Sequence, residues 1–338
     1  MADVHTALTN RAAARVGTSL RRGKYVLSAL LGVGAMGAVY SATHRNGMRV
    51  AIKVLHPEVA KVEELRSRFV REGYIVNMVS HPGLVRVLDD DIEDDGTTFL
   101  VMDLLEGRTL DAECTAGGGG LPVARVGVVV LDLLDVLDAI HSAGIVHRDV
   151  KPENVFIEHT GRVRLLDLGI ARLLIESRMT ASGEIMGTPE YVAPEQARGQ
   201  IGLINPRTDL YSVGAMIFSL LTGRAVHEGR SPMEAMVFGA TRPARSLLEV
   251  WPNAPPVLVH VVDVALSFDQ DRRWANAVEM GVALRNAMRV MGLNGSSRAQ
   301  YAGATAPPQA NSGTLLGAGN VVPNPGGTIR QGHGSNES

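Results

Sequence analysis

The stretch His147-Arg148-Asp149-Val150-Lys151-Pro152-Glu153-Asn154 decides how the rest of the chain is interpreted. It brings a carboxylate, a cation and an amide that can bind a metal close together, directly after a strongly apolar segment with helical spacing. An aspartate alone would carry little information, since most aspartates are solvated surface groups. A second carboxylate, Asp167, follows where the strand-like run Val163–Leu166 ends. The stretch therefore indicates a reactive loop, provided that the rest of the chain supplies the other parts of a site.

A glycine-rich run lies between two strand-like segments near the start of the chain. Gly32, Gly34 and Gly37 follow the pattern G-x-G-x-x-G, which Rossmann dinucleotide sites share. A Rossmann motif opens a helix, whereas here a β-like run continues to an Asn46-Gly47 turn, which is a strong hairpin signal. The run therefore favours a flap between two strands, because glycine lets backbone N–H groups approach phosphate oxygens closely.

Four motifs, in one order and at matching spacing, carry a resemblance to a known family. They are Val50-Ala51-Ile52-Lys53, the H-R-D-x-x-x-x-N pattern of His147–Asn154, Asp167-Leu168-Gly169 in place of D-F-G, and Ala193-Pro194-Glu195. With them the chain resembles the Hanks-type serine/threonine protein kinases, in spellings similar to bacterial members. The resemblance covers about residues 25 to 290. It implies an α+β fold with two lobes: a small β-rich N-lobe (25–105) and a larger, mainly helical C-lobe (106–293).

The resemblance also implies the roles of the polar residues in the centre of the site. Asp149 is expected to position the incoming hydroxyl and accept its proton, and Lys151 is typical of the serine/threonine class. Lys53 is expected to orient the α- and β-phosphates of ATP. Glu72, deep in a charged helical segment, is the best candidate for the carboxylate that holds the long Lys53 side chain.

ATP and Mg²⁺ are the implied cofactors. Asn154 and Asp167 are expected to hold the metal ion. Met102 is expected at the back of the adenine pocket, and residues 103–105 form the expected hinge between the lobes. The residues expected to contact ATP, besides Lys53, are Leu31, Gly32, Val33, Gly34, Ala35, Met36, Gly37, Ala38, Val39, Ala51, Met102, Asp103, Leu105 and Phe156.

Other residues are implied to shape the loops around the site. Thr188 is expected to shape the substrate groove, and Asp209 to brace the backbone of the catalytic loop. The plain alternative is that Asp209 is simply a helix N-cap, and the bracing role is compatible with it. Arg273 stands where the family places the arginine that pairs with the glutamate of A-P-E, here Glu195.

Regulation is expected to involve Arg148. An unpaired cation beside the catalytic aspartate is a poor arrangement, and a phosphate on the following segment would neutralise it through charge-assisted hydrogen bonds. Thr180 and Ser182 are the predicted acceptors of that phosphate. The alternative is that both are ordinary polar loop residues.

Composition limits the remaining possibilities. The 338 residues carry a net charge of −2 and a single cysteine, Cys114. These values give no general attraction to nucleic acid and exclude an internal disulfide. Because no apolar run approaches about 20 residues, no membrane span is expected, and a cytoplasmic protein is predicted. Residues 1–24 are expected to be a disordered extension. Residues 294–338, rich in Gly, Pro and Ser, are expected to be a disordered tail.

The predicted function is transfer of the γ-phosphoryl group of ATP to Ser or Thr of proteins, the chain itself included, with an undetermined oligomeric state. Two other classes stay open. A kinase-fold scaffold that binds nucleotide and partners without catalysis usually lacks a Lys, Asp or metal-ligand position, and none is missing here. A small-molecule phosphotransferase of related fold should lack the A-P-E segment and its arginine partner, which this chain has.

Overall fold

The computed structural model describes residues 2–167 and 189–293, with side chains from Thr6 onward except that of Glu72. Predicted residues Thr180, Ser182 and Thr188 and the predicted tail lie outside the described residues.

The strands are β1 Ser19–Leu20, β2 Tyr25–Val33, β3 Gly37–His44, β4 Arg49–Leu55, β5 Val87–Ile92, β6 Thr98–Met102, β7 Gly107–Thr109, β8 Val155–Glu158 and β9 Val163–Leu165. The described helices are α1 Ala2–Ala13, α2 Pro57–Ala60, α3 Glu63–Asn77, α4 Leu110–Ala116, α5 Val123–Ser142, α6 Pro194–Ala197, α7 Pro206–Thr222, α8 Pro232–Thr241, α9 Leu247–Val250, α10 Pro256–Ala265 and α11 Ala277–Val290.

The first part of the chain forms a six-stranded antiparallel sheet in the order β1-β2-β3-β4-β6-β5. Apolar side chains on one face of the sheet form a buried core that includes Leu27, Tyr40, Ile52 and Phe99. The predicted hairpin between β3 and β4 is present. At its turn the Asn46 side chain accepts a hydrogen bond from the backbone N–H of Met48 (2.9 Å).

Helix α3 packs on the opposite side of the same strands. Its Phe69 is buried against Leu55 and Leu100. Gly73 permits the close approach, because a Cβ at this position would lie 3.2 Å from the Leu100 side chain. This packing fixes the helix that carries Glu72 next to the strand that carries Lys53.

The second part of the chain is mainly helical and holds the larger core. Helix α5, whose buried face is apolar, packs against α7 and α11, and α10 packs on those two helices. Gly127 lets α11 approach α5, since a Cβ there would meet the Met288 sulfur at 2.5 Å. Among the described residues, no helix has both the length and the apolar character that crossing a bilayer requires.

Backbone contacts join the two parts. The small sheet β7-β8-β9 lies beside the helices, and the Leu165 N–H of β9 donates to the Gly83 carbonyl of the loop after α3 (2.8 Å). Arg164 adds hydrogen bonds to the carbonyls of Pro82 and Leu84, at 2.6 and 2.9 Å. A β-rich lobe and a helical lobe joined in this way confirm the predicted α+β, two-lobed fold class.

The N-terminal segment differs from the prediction of a disordered extension. Residues 2–24 contain α1, which packs against β2, and β1, which is an edge strand of the sheet. Leu20 is 3% exposed, and the Tyr40 hydroxyl donates to the Ala12 carbonyl (3.0 Å). Two basic residues of the segment pair with distant acids, Arg11 with Glu58 (2.6 Å) and Arg21 with Asp91 (2.8 Å). The sequence-based expectation was wrong because these partners lie far away along the chain.

Replacement of Leu20 tests whether the segment is packed. Leu20→Ala should lower the free energy of unfolding by about 2 to 5 kcal/mol, since it removes a buried side chain and leaves a cavity. Val16→Ala, at a position 39% exposed, is the matched control and should change stability by less than about 0.5 kcal/mol. Urea denaturation measures both. Equal stabilities of the two variants would show that the segment is not packed.

Candidate active site

A cavity of about 380 Å³ lies between the glycine flap, the hinge and the catalytic loop. Many residues predicted from the sequence line it together, although they come from both lobes. These lining residues are Leu31, Gly32, Val33, Gly34, Val39, Ala51, Lys53, Met102, Asp103, Leu105, Lys151, Asn154, Phe156 and Asp167.

Four predicted nucleotide contacts, Ala35 to Ala38, do not line the cavity. Met36 packs instead with the apolar cluster around Leu55 and Phe69. Gly37 serves backbone packing, because a Cβ on it would lie 2.2 Å from the Val54 carbonyl oxygen. The glycine at this position is therefore required by the close approach of β3 and β4.

Other lining residues were missed by sequence reasoning. Val87, Leu100 and Leu165 belong to strands that read as ordinary core, so nothing in their pattern indicates a cavity. Asp111, in the first turn of α4, and His147 also line it. His147 could have been found, since it stands in the motif that defines the catalytic loop.

Lys53 meets Asp167 inside the cavity. The Lys53 ammonium lies 2.7 Å from the Asp167 carboxylate. Desolvation by itself would raise the pKa of this carboxyl, but the charge and hydrogen bond of Lys53 outweigh it and lower the pKa. Asp167 has a backbone φ of 38°, a conformation that non-glycine residues rarely adopt. The predicted pairing of Lys53 with Glu72 involves a side chain outside the described part of the structure and stays a prediction.

Asp149 lies in the catalytic loop with its neighbours arranged around it. The Asn154 side-chain N–H₂ donates to the Asp149 carboxylate and to its backbone carbonyl, both at 2.8 Å. The Lys151 ammonium lies 3.4 Å from the same carboxylate. Because the amide nitrogen of Asn154 is used in these bonds, its amide oxygen is the atom that can serve a cation.

The backbone of this loop is held by Asp209 of α7. The Asp209 carboxylate, 0% exposed, accepts hydrogen bonds from the N–H groups of His147 (2.8 Å) and Arg148 (2.7 Å). His141 lies 2.7 Å from the same carboxylate. Arg148 has φ 71°, so the loop turns sharply at the residue before Asp149. Asp209 is within the first turn of α7, whose N-cap is Asn205.

A buried ion pair supports the segment after the site. Arg273 makes two hydrogen bonds of 2.9 Å to the Glu195 carboxylate, and the Thr208 hydroxyl donates to it at 2.7 Å. The neighbouring Gln196 donates to the Arg148 carbonyl at 2.8 Å. Sequence reasoning singled out Glu195 and Arg273 and missed Thr208 and Gln196, whose local patterns carry no signal.

The donor set limits how a metal could bind. Within residues 2–167 and 189–293, no group of three or more His, Cys, Asp or Glu side chains is placed to hold a metal ion. Asn154 and Asp167 supply two oxygen donors beside the cavity. This set fits Mg²⁺, which typically takes one or two protein oxygens and completes its coordination with phosphate oxygens and water.

Comparisons with known proteins agree with this geometry. The sequence model of the protein kinase domain family matches residues 25–282 of the chain. The chain is 35% identical over 271 residues to a probable serine/threonine-protein kinase PknB of Corynebacterium glutamicum, covering 77% of this chain and 42% of that protein. It is 32% identical over 273 residues to the serine/threonine-protein kinase PrkC of Bacillus subtilis, covering 80% of this chain and 42% of that protein. The chain thus spans less than half the length of these two relatives.

A solved structure is also similar. The crystal structure of the Mycobacterium tuberculosis PknI kinase domain matches with a TM-score of 0.62 and 27% sequence identity. The match covers 80% of this chain and 98% of that one.

The Glu195–Arg273 pair predicts a dependence of stability on pH. Desolvation opposes ionisation of Glu195, but Arg273 and Thr208 prevail and lower its pKa from the ordinary value of 4.5. A carboxyl with a depressed folded-state pKa stabilises the fold above its unfolded pKa, and that contribution is lost as pH falls through the folded pKa. At pH 7, Glu195→Gln should cost about 3 kcal/mol, because Arg273 is left buried without its counter-charge.

The difference between wild type and Glu195→Gln should shrink as pH falls below about 4.5. Urea denaturation from pH 3 to pH 7 measures it. The control is Glu106→Gln, which removes an exposed ion pair with Arg49 and should change stability by less than about 1 kcal/mol. A difference that stays constant with pH would contradict the assignment.

Proposed function

We propose that this chain, which belongs to the protein kinase family, transfers the γ-phosphoryl group of ATP to serine and threonine hydroxyls of proteins. The observation that carries the proposal is the convergence of Lys53, Asn154 and Asp167 on one cavity from both lobes, with the Asp149 carboxylate bonded to the Asn154 amide. The family match and the relatives named as serine/threonine-protein kinases support the same reaction class.

Asp149 is the proposed base. Its carboxylate is held by Asn154 and faces the ammonium of Lys151, so its position does not depend on the substrate. In this role it orients the incoming hydroxyl and accepts its proton as that oxygen bonds to the γ-phosphorus, while the bond from this phosphorus to the bridging oxygen breaks and ADP leaves. Lys151 would stabilise negative charge that develops next to Asp149.

The apolar cavity would hold ATP, with Ala51, Met102 and Phe156 among the side chains that line it. Lys53 would bind phosphate oxygens, for which it must exchange its partner Asp167. Asn154 and Asp167 would hold Mg²⁺, whose charge neutralises the phosphates when it is bound.

Protein substrates, including copies of the chain itself, are favoured over small molecules. The small-molecule alternative should lack the glutamate–arginine pair that supports the segment after the site. Here Glu195 and Arg273 form that pair, with Arg273 4% and Glu195 3% exposed. The scaffold alternative loses support because Lys53, Asp149, Asn154 and Asp167 are all present.

Two substitutions test catalysis. Lys53→Met and Asp149→Ala should each reduce phosphoryl transfer from Mg-ATP to a basic protein by about a hundredfold or more, because one removes the phosphate ligand and the other the base. Lys24→Met, which removes a lysine paired with Asp89 away from the cavity, should keep activity. Radiolabel incorporation measures transfer, and thermal unfolding checks that each variant is folded. A wild-type protein that phosphorylates nothing, itself included, would favour the scaffold function.

We also propose that phosphorylation of Thr180 or Ser182 regulates the site through Arg148. Among the described residues, the Nε atom of Arg148 is buried and has no hydrogen-bond partner. A phosphate is the kind of group that pairs with such a guanidinium, because its oxygens accept charge-assisted hydrogen bonds. Thr188 is assigned to the substrate groove instead.

Mass spectrometry after incubation with Mg-ATP tests the regulatory role. Wild type should gain phosphate on Thr180 or Ser182, whereas the Asp149→Ala protein, prepared in the same way, should not. The double variant Thr180→Ala/Ser182→Ala should lose activity at least several-fold. An active enzyme in which both residues stay unmodified, or a fully active double variant, would rule the switch out.

A further inference from the structure

His56, which follows β4 directly, holds the tip of the glycine flap at two points. Its backbone N–H donates to the Met36 carbonyl (2.8 Å), and its ring Nε2 lies 2.9 Å from the Gly34 carbonyl oxygen. Between these points the tip closes on itself, since the Gly34 N–H donates to the Gly37 carbonyl (2.8 Å). Gly34 lines the cavity, whereas His56 is not among the residues that line it. The tip of the flap is therefore held by a residue, His56, that lies outside the cavity.

The ring of His56 is suited to donate this hydrogen bond. A carbonyl oxygen can only accept, so Nε2 must carry the hydrogen. His56 is 7% exposed, and desolvation lowers its pKa despite the opposing effect of the Gly34 carbonyl. The charged groups that act on it are Arg11 and Glu58, which pair with each other.

His56 is itself fixed in place. Its carbonyl accepts from the N–H groups of Val59 (3.0 Å) and Ala60 (2.9 Å), so it begins helix α2. Within α2, Glu58 binds Arg11 of α1 through two hydrogen bonds of 2.6 and 2.8 Å. The histidine thus caps a helix that contacts α1, while the tip it holds contains two glycines that would otherwise sample many conformations.

The hydrogen bond from His56 to the Gly34 carbonyl determines the direction of the Ala35 N–H. A trans peptide is planar, and its C=O and N–H groups point in opposite directions. With the Gly34 carbonyl turned towards His56, the Ala35 N–H must point away from His56. Backbone N–H groups of a glycine turn are the donors that bind phosphate oxygens.

We propose that His56 is a positioning residue for nucleotide binding: it fixes the Gly34–Ala35 peptide in one orientation, and with it the part of the flap, Gly34, that lines the cavity for ATP. The inference rests on the proposed kinase function. According to this inference, His56 increases the affinity for nucleotide although it lies outside the cavity, because it fixes a flap that would otherwise be mobile.

The test compares His56→Leu with His56→Gln. Leucine fills the space without a donor, whereas the glutamine amide can reach the Gly34 carbonyl in place of Nε2. Loss of this bond should raise the Kd for Mg-ADP and the KM for ATP by about tenfold in His56→Leu, with kcat changed less. His56→Gln should restore both constants to within about threefold of wild type. Titration calorimetry gives Kd, and steady-state transfer assays give KM and kcat.

Tyr40→Phe is the matched control in the same lobe. It removes the hydrogen bond to the Ala12 carbonyl, so it should lower thermal stability without changing the Kd for Mg-ADP. If His56→Leu does not fold, His56→Asn, whose amide is too short to reach Gly34, replaces it and should show the same weakening.

Three results would overturn the inference. One is a donor-free variant that binds Mg-ADP as tightly as wild type, and another is a His56→Gln protein as impaired as His56→Leu. The third is a Tyr40→Phe protein with equally weakened nucleotide binding, which would show a general effect of lobe stability. A wild-type chain that binds no Mg-ADP would overturn the proposed function itself, whereas wild-type binding with unaffected His56 variants would overturn only the role of His56.

Discussion

A single buried carboxylate, that of Asp209, fixes the geometry on which the candidate active site depends. Two successive N–H groups, of His147 and Arg148, would be buried without partners if Asp209 were absent. Leaving such groups unpaired costs about 1 to 3 kcal/mol each, so the carboxylate selects one loop conformation strongly. That conformation includes the left-handed φ of Arg148, which sets the direction in which Asp149 leaves the turn. The position of the proposed base is thus determined from helix α7.

Helix α7 also supports the catalytic loop through Thr208 and Glu195. Thr208, next to Asp209, donates to Glu195, which is paired with Arg273, and Gln196 bonds the Arg148 carbonyl. The loop is therefore held at Arg148 from two sides, through its N–H and its carbonyl. A buried ion pair seldom adds much net stability, because desolvation of both charges offsets their attraction. Its effect here is geometric, since together with Thr208 it fixes Glu195 of α6 against α7.

Local patterns in the sequence predicted the parts of the molecule that depend on local physics. The Asn46-Gly47 turn, the alternating strands and the apolar face of α5 each follow from residues close together in the chain. The candidate site could be predicted from motifs whose spacing is itself the signal. What could not be predicted are contacts between distant residues of ordinary type. The ion pair of Arg11 with Glu58 and the burial of Leu20 in the core of the sheet belong to this group, and they overturned the expectation for residues 1–24.

Two charged side chains that line the cavity, Lys53 and Asp167, must exchange partners when ligands bind. Asp209 and His56, which keep the surrounding backbone in place, do not exchange theirs. Lys53 and Asp167 neutralise each other now, and each must find a new partner when phosphate and metal ion enter. Such an exchange is efficient only if the surrounding backbone stays in place, because reorganising it would consume binding energy. Asp209, in the helical lobe, keeps the backbone of the catalytic loop in place. His56 occupies the corresponding position behind the flap, so both halves of the cavity are held from outside it.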